Sequence, residues 1–520
     1  MTSFDQNRGK WREDHKVPGR FIRECVSAEI MLDIWNTQYH GDGNMFLGLY
    51  IKLANSFGAS EFMTYLREAW KSLRWEIPTI ALQVYHVPVK RDSLPKPYMV
   101  YDVAKSSSEA DDWAKTTAFL MEGYKDLDDL RYHIGQNPLP PTDFVPQTFV
   151  YALQTSPDSF GILIHTSHVI SDGNAVRIVG NRLLYHLANY IGDPGYQKLE
   201  SKKIRWGSES VNLVPVISDV IQNYEPAVKD SSGNIIKEEI PGEIREGPEY
   251  DKTLAEVMDG LNKGSTLAHP FKSIIYPIFN VQKQNPRSRR VYYTFTLEES
   301  ERIKAACKPT RSMPEKLTCL NLKETVNGAL GLVTILDNPP QKDSDAMIFF
   351  WGVVDPRKKL IPRYHNYPCF ALGMSALLLP VSLYETFSHE DRRTLVLEFA
   401  KATREEYNKQ AQYPSLTSVL DEEVDRMLQG PPPPPWCGPR YSADGRGSNY
   451  LSPSHEVNGR KIIEVSDFFI AVNRCDPGPC FRATEWNGRI MLSADYNELA
   501  VETKVAQRWM DLWRKLVLFL

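Results

Sequence analysis

Two histidines and an aspartate crowd one short stretch of the chain, His165-Thr-Ser-His168-Val-Ile-Ser-Asp172-Gly173. An imidazole with an ordinary pKa of about 6.5 can take a proton from a hydroxyl at neutral pH. Such base assistance typically raises a rate by about 10² to 10⁴. Asp172 has two roles open to it. It can accept from the His168 ring and orient it, or, as a buried carboxylate, it can pair with a cation from elsewhere in the chain, for which Arg357 is the best candidate. Gly173 lets the backbone turn tightly after the aspartate. No cysteine and no Gly-x-Ser-x-Gly serine stands where a covalent nucleophile would be expected, so the stretch reads as a base rather than a nucleophile.

The elements around it follow from periodicity. Gly161-Ile-Leu-Ile164 predicts a buried strand, and 175–190 a helix packed through Val176, Val179, Leu183, Leu184 and Leu187. If the strand runs to residue 168, His168 shares a face with Ile162, Ile164 and Thr166, while His165 and Ser167 point the other way. Residues 148–154 and 161–167 form a hairpin across Ser156-Pro-Asp-Ser159. Upstream, Ile30, Met31, Ile34 and Trp35 recur at helical spacing before a glycine-bearing turn, His40-Gly-Asp-Gly43. Residues 60–73 read as an amphipathic helix with Phe62, Leu66, Trp70 and Leu73 on one face. Residues 75–86 and 99–103 read as strands and 116–132 as mostly helical. His86 reads as a strand-end residue and His165 as a packing residue.

Beyond residue 200 the character changes. Residues 200–285 are charged, turn-rich and poor in periodicity, and read as a crossover, part of it without fixed structure. The second half restarts with an alternating strand at 290–297, a helix at 298–307 and a helix at 322–336 that carries Thr325-Val-Asn327. Phe349-Phe-Trp-Gly-Val-Val-Asp-Pro-Arg357 predicts a strand, followed by another across 367–379. Gly430 to Pro435 includes five consecutive prolines and must be extended. Late strands fall at 466–472 and 488–496, and Val505, Trp509, Leu512, Leu516 and Phe519 outline a closing amphipathic helix.

His168-x-x-x-Asp172-Gly173 at a strand-to-helix junction resembles the signature of the coenzyme-A-dependent acyltransferase superfamily. Thr325-x-Asn327 and Asp355-x-Arg357 resemble that superfamily's second-domain helix and strand. The resemblance implies an α/β (layered α+β) chain of two chloramphenicol-acetyltransferase-like domains, each a mixed sheet with flanking helices, and an active-site tunnel between them. The expected division is 1–205, a crossover at 206–289, and 290–520. It implies that His168 is the general base of a ternary complex without an acyl-enzyme, with Asp172, Gly173 and Arg357 structural at the site and Asp172 paired to Arg357. Ser442, Ser448 and Asn449 are candidate oxyanion or substrate contacts, since an oxyanion needs a hydroxyl or amide donor. Condensation domains carry a second histidine just before the catalytic one, where this chain has Ser167. The Asp-Phe-Gly-Trp-Gly of plant members is absent. In overall cast the chain resembles the fungal trichothecene acetyltransferases of that superfamily. That likeness implies acetyl-CoA as co-substrate, no permanently bound cofactor, and the C-15 hydroxyl of a trichothecene-type sesquiterpenoid as acceptor. Another secondary-metabolite alcohol or amine, or a non-catalytic binding role, are the alternatives.

Composition sets the outer bounds. The chain has 520 residues, 42% hydrophobic and 24% charged, enough for two or more domains. A net charge of -4 gives no electrostatic case for nucleic acid or an anionic membrane. The first twenty residues lack a signal-peptide core, and no apolar run approaches the ~20 residues of a membrane span. Seven scattered cysteines argue against a disulfide framework, and Cys475 and Cys480 read as a reduced turn rather than a metal pair. The expected protein is a cytosolic monomer.

Overall fold

A computed structural model describes residues 9–38, 41–87, 96–137, 139, 144–275, 287–307, 322–386, 391–429 and 436–519. The proline run at 431–435 lies outside them. The chain divides into two compact units, and neither is one continuous stretch. The first comprises Met1–Ile221, Leu360–Ala371 and Ser448–Asn473, and the second Gln222–Lys359, Leu372–Gly447 and Arg474–Leu520.

The first unit is built on a six-stranded sheet. Its middle holds β1 (Met45–Leu53), flanked by Arg460–Val472 on one side and β3 (Ser159–Thr166) on the other; β2 (Thr148–Ser156) and Ala118–Met121 extend the β3 side. The predicted hairpin is β2–β3, and Ser156-Pro-Asp-Ser159 is its turn. β1 is buried on both faces, which is why Met45-Phe-Leu-Gly-Leu reads as a continuous apolar run rather than an alternating one. Leu127, Leu130, Leu153 and Leu163 pack with Phe46 and Phe469 on one face. On the other face lies α2 (Gly173–Gly192), approaching so closely that a β-carbon at Gly180 would lie 2.6 Å from Leu47 Cδ2. Beside it, α1 (Ala59–Glu76) buries Phe62, Leu66, Trp70 and Leu73, the predicted face. A second sheet of four strands, including Lys96–Asp102, completes the unit.

The second unit has a four-stranded sheet in the order Ser288–Thr294, Arg489–Asn497, β5 (Cys480–Trp486), β4 (Arg440–Arg446). Its core gathers Phe481, Ile490 and Leu492 from the sheet with Trp509 and Trp513 of the closing helix Thr503–Leu518. Helix α3 (Leu297–Ala306) begins with a capping box at Thr296 and Glu299. Helix α4 (Leu322–Asp337) is buried from Glu324 to Ile335 and packs on Arg392–Ala411. Met347–Val354 and Gly373–Pro380 form a separate antiparallel pair.

Three expectations are corrected. Residues 75–86 are not one strand: Pro78 starts a 3-10 turn, Pro78–Ala81, and only Gln83–Val87 is extended. Residues 116–132 span the end of the helix Ser107–Thr117, the strand Ala118–Met121 and the start of the helix Leu127–Gly135, because Asp126 caps a new helix there. The stretch at 206–289 holds a 19-residue helix, Pro248–Thr266, with Leu254, Val257 and Leu261 buried. Proline at its first position was the unread signal.

Gly328 marks where α4 meets Arg392–Ala411: a β-carbon there would lie 2.6 Å from the Ala400 backbone nitrogen. Helix propensity alone would make Gly328→Ala stabilising by about 1 kcal/mol. Backbone cannot yield as a side chain can, so overpacking, typically about 1–3 kcal/mol, decides the sign. Gly328→Ala is expected to lower the denaturation midpoint, and an unchanged or raised midpoint would contradict this packing.

Candidate active site

The β2–β3 ladder ends at Thr148 and Thr166, whose hydroxyls hydrogen-bond at 2.8 Å. The Ser167 N–H still donates to the Gln147 carbonyl at 3.0 Å, but residues 168–170 form a turn. The strand therefore stops two residues short of His168, and the turn, not the pleat, directs its ring. Asp172 ends that turn and begins α2. As N-cap, its Oδ1 accepts from the Asn174 and Ala175 N–H groups, each at 2.8 Å. A carboxylate at this position also meets the positive end of a 20-residue helix. Its Oδ2 accepts the Ala371 N–H at 2.7 Å, clamping a loop 199 residues away in sequence.

From Phe160 to Asp172 every residue is buried except His168, which is half-exposed. His168 Nδ1 lies 2.8 Å from the Ser171 carbonyl oxygen. A carbonyl can only accept, so the neutral ring keeps its proton on Nδ1 and its basic lone pair on Nε2. The hydrogen bond that a triad aspartate would make to Nδ1 is thus made by backbone. Phe370 stands edge-on to the imidazole, centroids 5.9 Å apart, and its N–H donates to the Ile170 carbonyl at 3.3 Å. On another side of the ring a β-carbon at Gly43 would lie 3.9 Å from His168 Cδ2, and Gly43 has φ +81°, which glycine adopts without strain. The Gly43 N–H is held by the Asn473 carbonyl at 2.8 Å.

His165 faces away from this group. It stacks on Phe46 with centroids 4.3 Å apart, and neither ring nitrogen has a hydrogen-bond partner among the described residues. Burial pushes its imidazole down to about 3, so it stays neutral and packs as an aromatic ring.

The remaining candidates are divided between the two units. Arg357, buried in the second unit, donates through Nη1 to Asp355 Oδ1 at 3.0 Å. Ser442, also in the second unit, donates its single hydroxyl proton to Asp444 Oδ1 at 2.6 Å, which engages the donor an oxyanion would need. Ser448 and Asn449 are exposed in the first unit, the one that holds His168. Among the described residues no group of three or more His, Cys, Asp or Glu could hold a metal ion. Sequence reasoning did not bring in the Ser171 carbonyl, Phe370, Ala371 or Gly43. The Gly-Asp-Gly turn was visible, but its partner ring was not, and residues 370–371 carry no motif.

Two outcomes follow. Asp172→Ala removes a cap, worth about 0.5–2 kcal/mol, and strands the buried Ala371 N–H, a further cost of about 1–3 kcal/mol. A total loss of about 2–4 kcal/mol is expected in urea denaturation, and a loss under about 1 kcal/mol would contradict the clamp. His165 ionises near pH 6.5 when unfolded but only near 3 when folded. The unfolded chain is then the better proton acceptor below pH 6.5, so stability is full above that pH and falls towards pH 3. The loss is about 2 kcal/mol at pH 5. His165→Phe should flatten this slope between pH 7 and pH 5; an unchanged slope would place the acid sensitivity elsewhere.

The chain is 23% identical over 536 aligned positions to the trichothecene 15-O-acetyltransferase TRI3 of Fusarium sporotrichioides, covering 96% of this chain and 95% of that protein. The solved structure of TRI3 matches with a TM-score of 0.78 at 18% identity, over 98% of each chain. A starter condensation domain of rhizomide synthetase RzmA, in complex with C8-CoA and Leu-SNAC, matches with a TM-score of 0.56 at 11% identity, over 96% of this chain and 94% of that one. SgcC5 of Streptomyces globisporus gives 0.57 at 9% identity, over 95% and 98%. No family model matches the chain. Its fold is the two-part α/β fold of TRI3 and the condensation domains.

Proposed function

We propose that the chain is an acyltransferase that moves an acetyl group from acetyl-CoA to a hydroxyl of a sesquiterpenoid, with His168 as general base. One observation carries the reading: His168 alone breaks an otherwise buried run, with its Nδ1 proton committed to the Ser171 carbonyl. A half-exposed ring locked in that tautomer presents a basic Nε2. Similarity to a trichothecene 15-O-acetyltransferase along nearly the whole chain supports the donor and the acceptor class.

In this mechanism Nε2 takes the hydroxyl proton as the alcohol oxygen attacks the thioester carbonyl. The tetrahedral oxyanion collapses, the carbon–sulfur bond breaks, and the imidazolium returns the proton to the departing thiolate. An ester and CoA thiol result, and His168 ends neutral. No covalent enzyme intermediate is needed, so the base must serve both transfers without moving far, which suits a ring fixed at Nδ1 and walled by Phe370. Ser448 and Asn449 are the proposed oxyanion or substrate contacts, because the Ser442 proton is engaged.

The test is CoA release from acetyl-CoA across a panel of hydroxylated sesquiterpenoids. The parent should turn over at least one acceptor, and His168→Ala should lose about 10²- to 10⁴-fold in kcat with folding intact. Turnover within a few-fold of the parent would remove His168 from the reaction.

A further inference from the structure

The second unit contains a cavity of about 430 Å³, a size typical of small-ligand sites. It lies between the helices α3 and α4 and the neighbouring strands β4 and β5, of which β4 is the sheet's edge. Leu322, Ala443, Ala483 and Ile490 give it an apolar wall.

Its polar groups divide into a satisfied set and an unsatisfied set. Lys304 is occupied: its Nζ donates to Glu485 Oε1 at 3.1 Å and to the Gly488 carbonyl at 2.9 Å. Arg446 lies 3.7 Å from the same Glu485 carboxylate. The other end is different. Tyr441 is only 6% exposed, yet its hydroxyl has no hydrogen-bond partner among the described residues. Lys323 places Nζ 3.6 Å from the centroid of the Tyr407 ring, a cation–π contact, and among the described residues its ammonium makes no ion pair or hydrogen bond. Burial pushes its ammonium down to about 8, against the opposing pull of Glu324. Leu322 and Lys323 are also the first residues of the 16-residue α4, whose opening N–H groups have no intrahelical acceptor and carry the positive end of the helix dipole.

A buried phenol, an ammonium and a helix start are all donors, and they converge on one end of an apolar chamber. An unsatisfied buried donor costs about 1–3 kcal/mol, and an anion there would satisfy several at once with charge-assisted bonds. Inorganic phosphate would leave most of the apolar wall uncovered; a carboxylate on a hydrocarbon body covers both. We propose that this cavity is a second ligand site, taking a small apolar carboxylic acid as its carboxylate. The head group lies between Lys323, Tyr441 and the start of α4, and the hydrocarbon lies against Leu322, Ala443, Ala483 and Ile490. Thr325-Val-Asn327 then has a role in the second unit: Asn327 Nδ2 donates to the Tyr407 hydroxyl at 3.2 Å, holding the ring on which Lys323 rests.

Calorimetric titration of the full chain with decanoate, and with decanol as its uncharged counterpart, tests the site. Decanoate should bind saturably with one site per chain, and decanol at least tenfold more weakly. Lys323→Met should weaken decanoate at least tenfold while keeping the parent's circular dichroism and melting point. Ala483→Trp, which fills the chamber, should abolish binding; if that variant misfolds, Lys323→Met decides alone. The site is refuted if the folded parent shows no saturable decanoate binding, if decanol binds as well as decanoate, or if folded Lys323→Met binds as the parent does.

Discussion

One carboxylate sets the geometry on which the rest of the site depends. Asp172 takes three backbone N–H groups, two from the first turn of its own helix and one from a loop 199 residues away. Hydrogen bonds to a charged acceptor are among the stronger ones in a folded chain. The first two fix where the turn ends and the helix starts, which places the Ser171 carbonyl within reach of His168 Nδ1. The third holds residue 371, and with it Phe370, against the imidazole edge. Ring tautomer, ring wall and helix start are therefore consequences of one side chain.

The sheet beneath gives that side chain a firm base. β1 is covered on both faces, by α2 through the bare backbone of Gly180 and by the cluster of Phe46, Leu163 and Phe469. The same frame separates two residues of one type. His165, still in the strand, is turned into the apolar layer and forced neutral; His168, three residues later and past the strand end, is half-exposed and tied by a backbone carbonyl. Environment, rather than residue type, makes one a packing ring and leaves the other able to exchange a proton.

Much of this was legible from the residues alone because the signals are local. The 148–166 hairpin announced itself through two strand-like runs about Ser156-Pro-Asp-Ser159, and α2 and the closing helix through apolar residues at helical spacing. His168 and Asp172 stood out by spacing. The misreadings are also local in cause: Pro78 starts a 3-10 turn inside an apolar run, and Asp126 restarts a helix where periodicity ran on. The walls of the site were not legible. Gly43 meets His168 because the strand that follows it pairs with the strand that precedes the histidine, and Phe370 because its loop is tied to Asp172 and Ile170; neither residue's type points to a histidine. Whether the Ser442 hydroxyl has a proton to offer likewise depends on Asp444 two residues on, which spacing alone does not reveal.

The central claim is that His168 is a neutral ring protonated on Nδ1, with Nε2 as its basic nitrogen. Long-range proton–nitrogen correlation spectra of the protein labelled with ¹⁵N-histidine read this directly, with His168→Gln identifying the signal. At pH 8 the account predicts a protonated, pyrrole-type Nδ1 and an unprotonated, pyridine-type Nε2. A proton resident on Nε2 would contradict it, because a base that already carries the proton cannot take one from an alcohol.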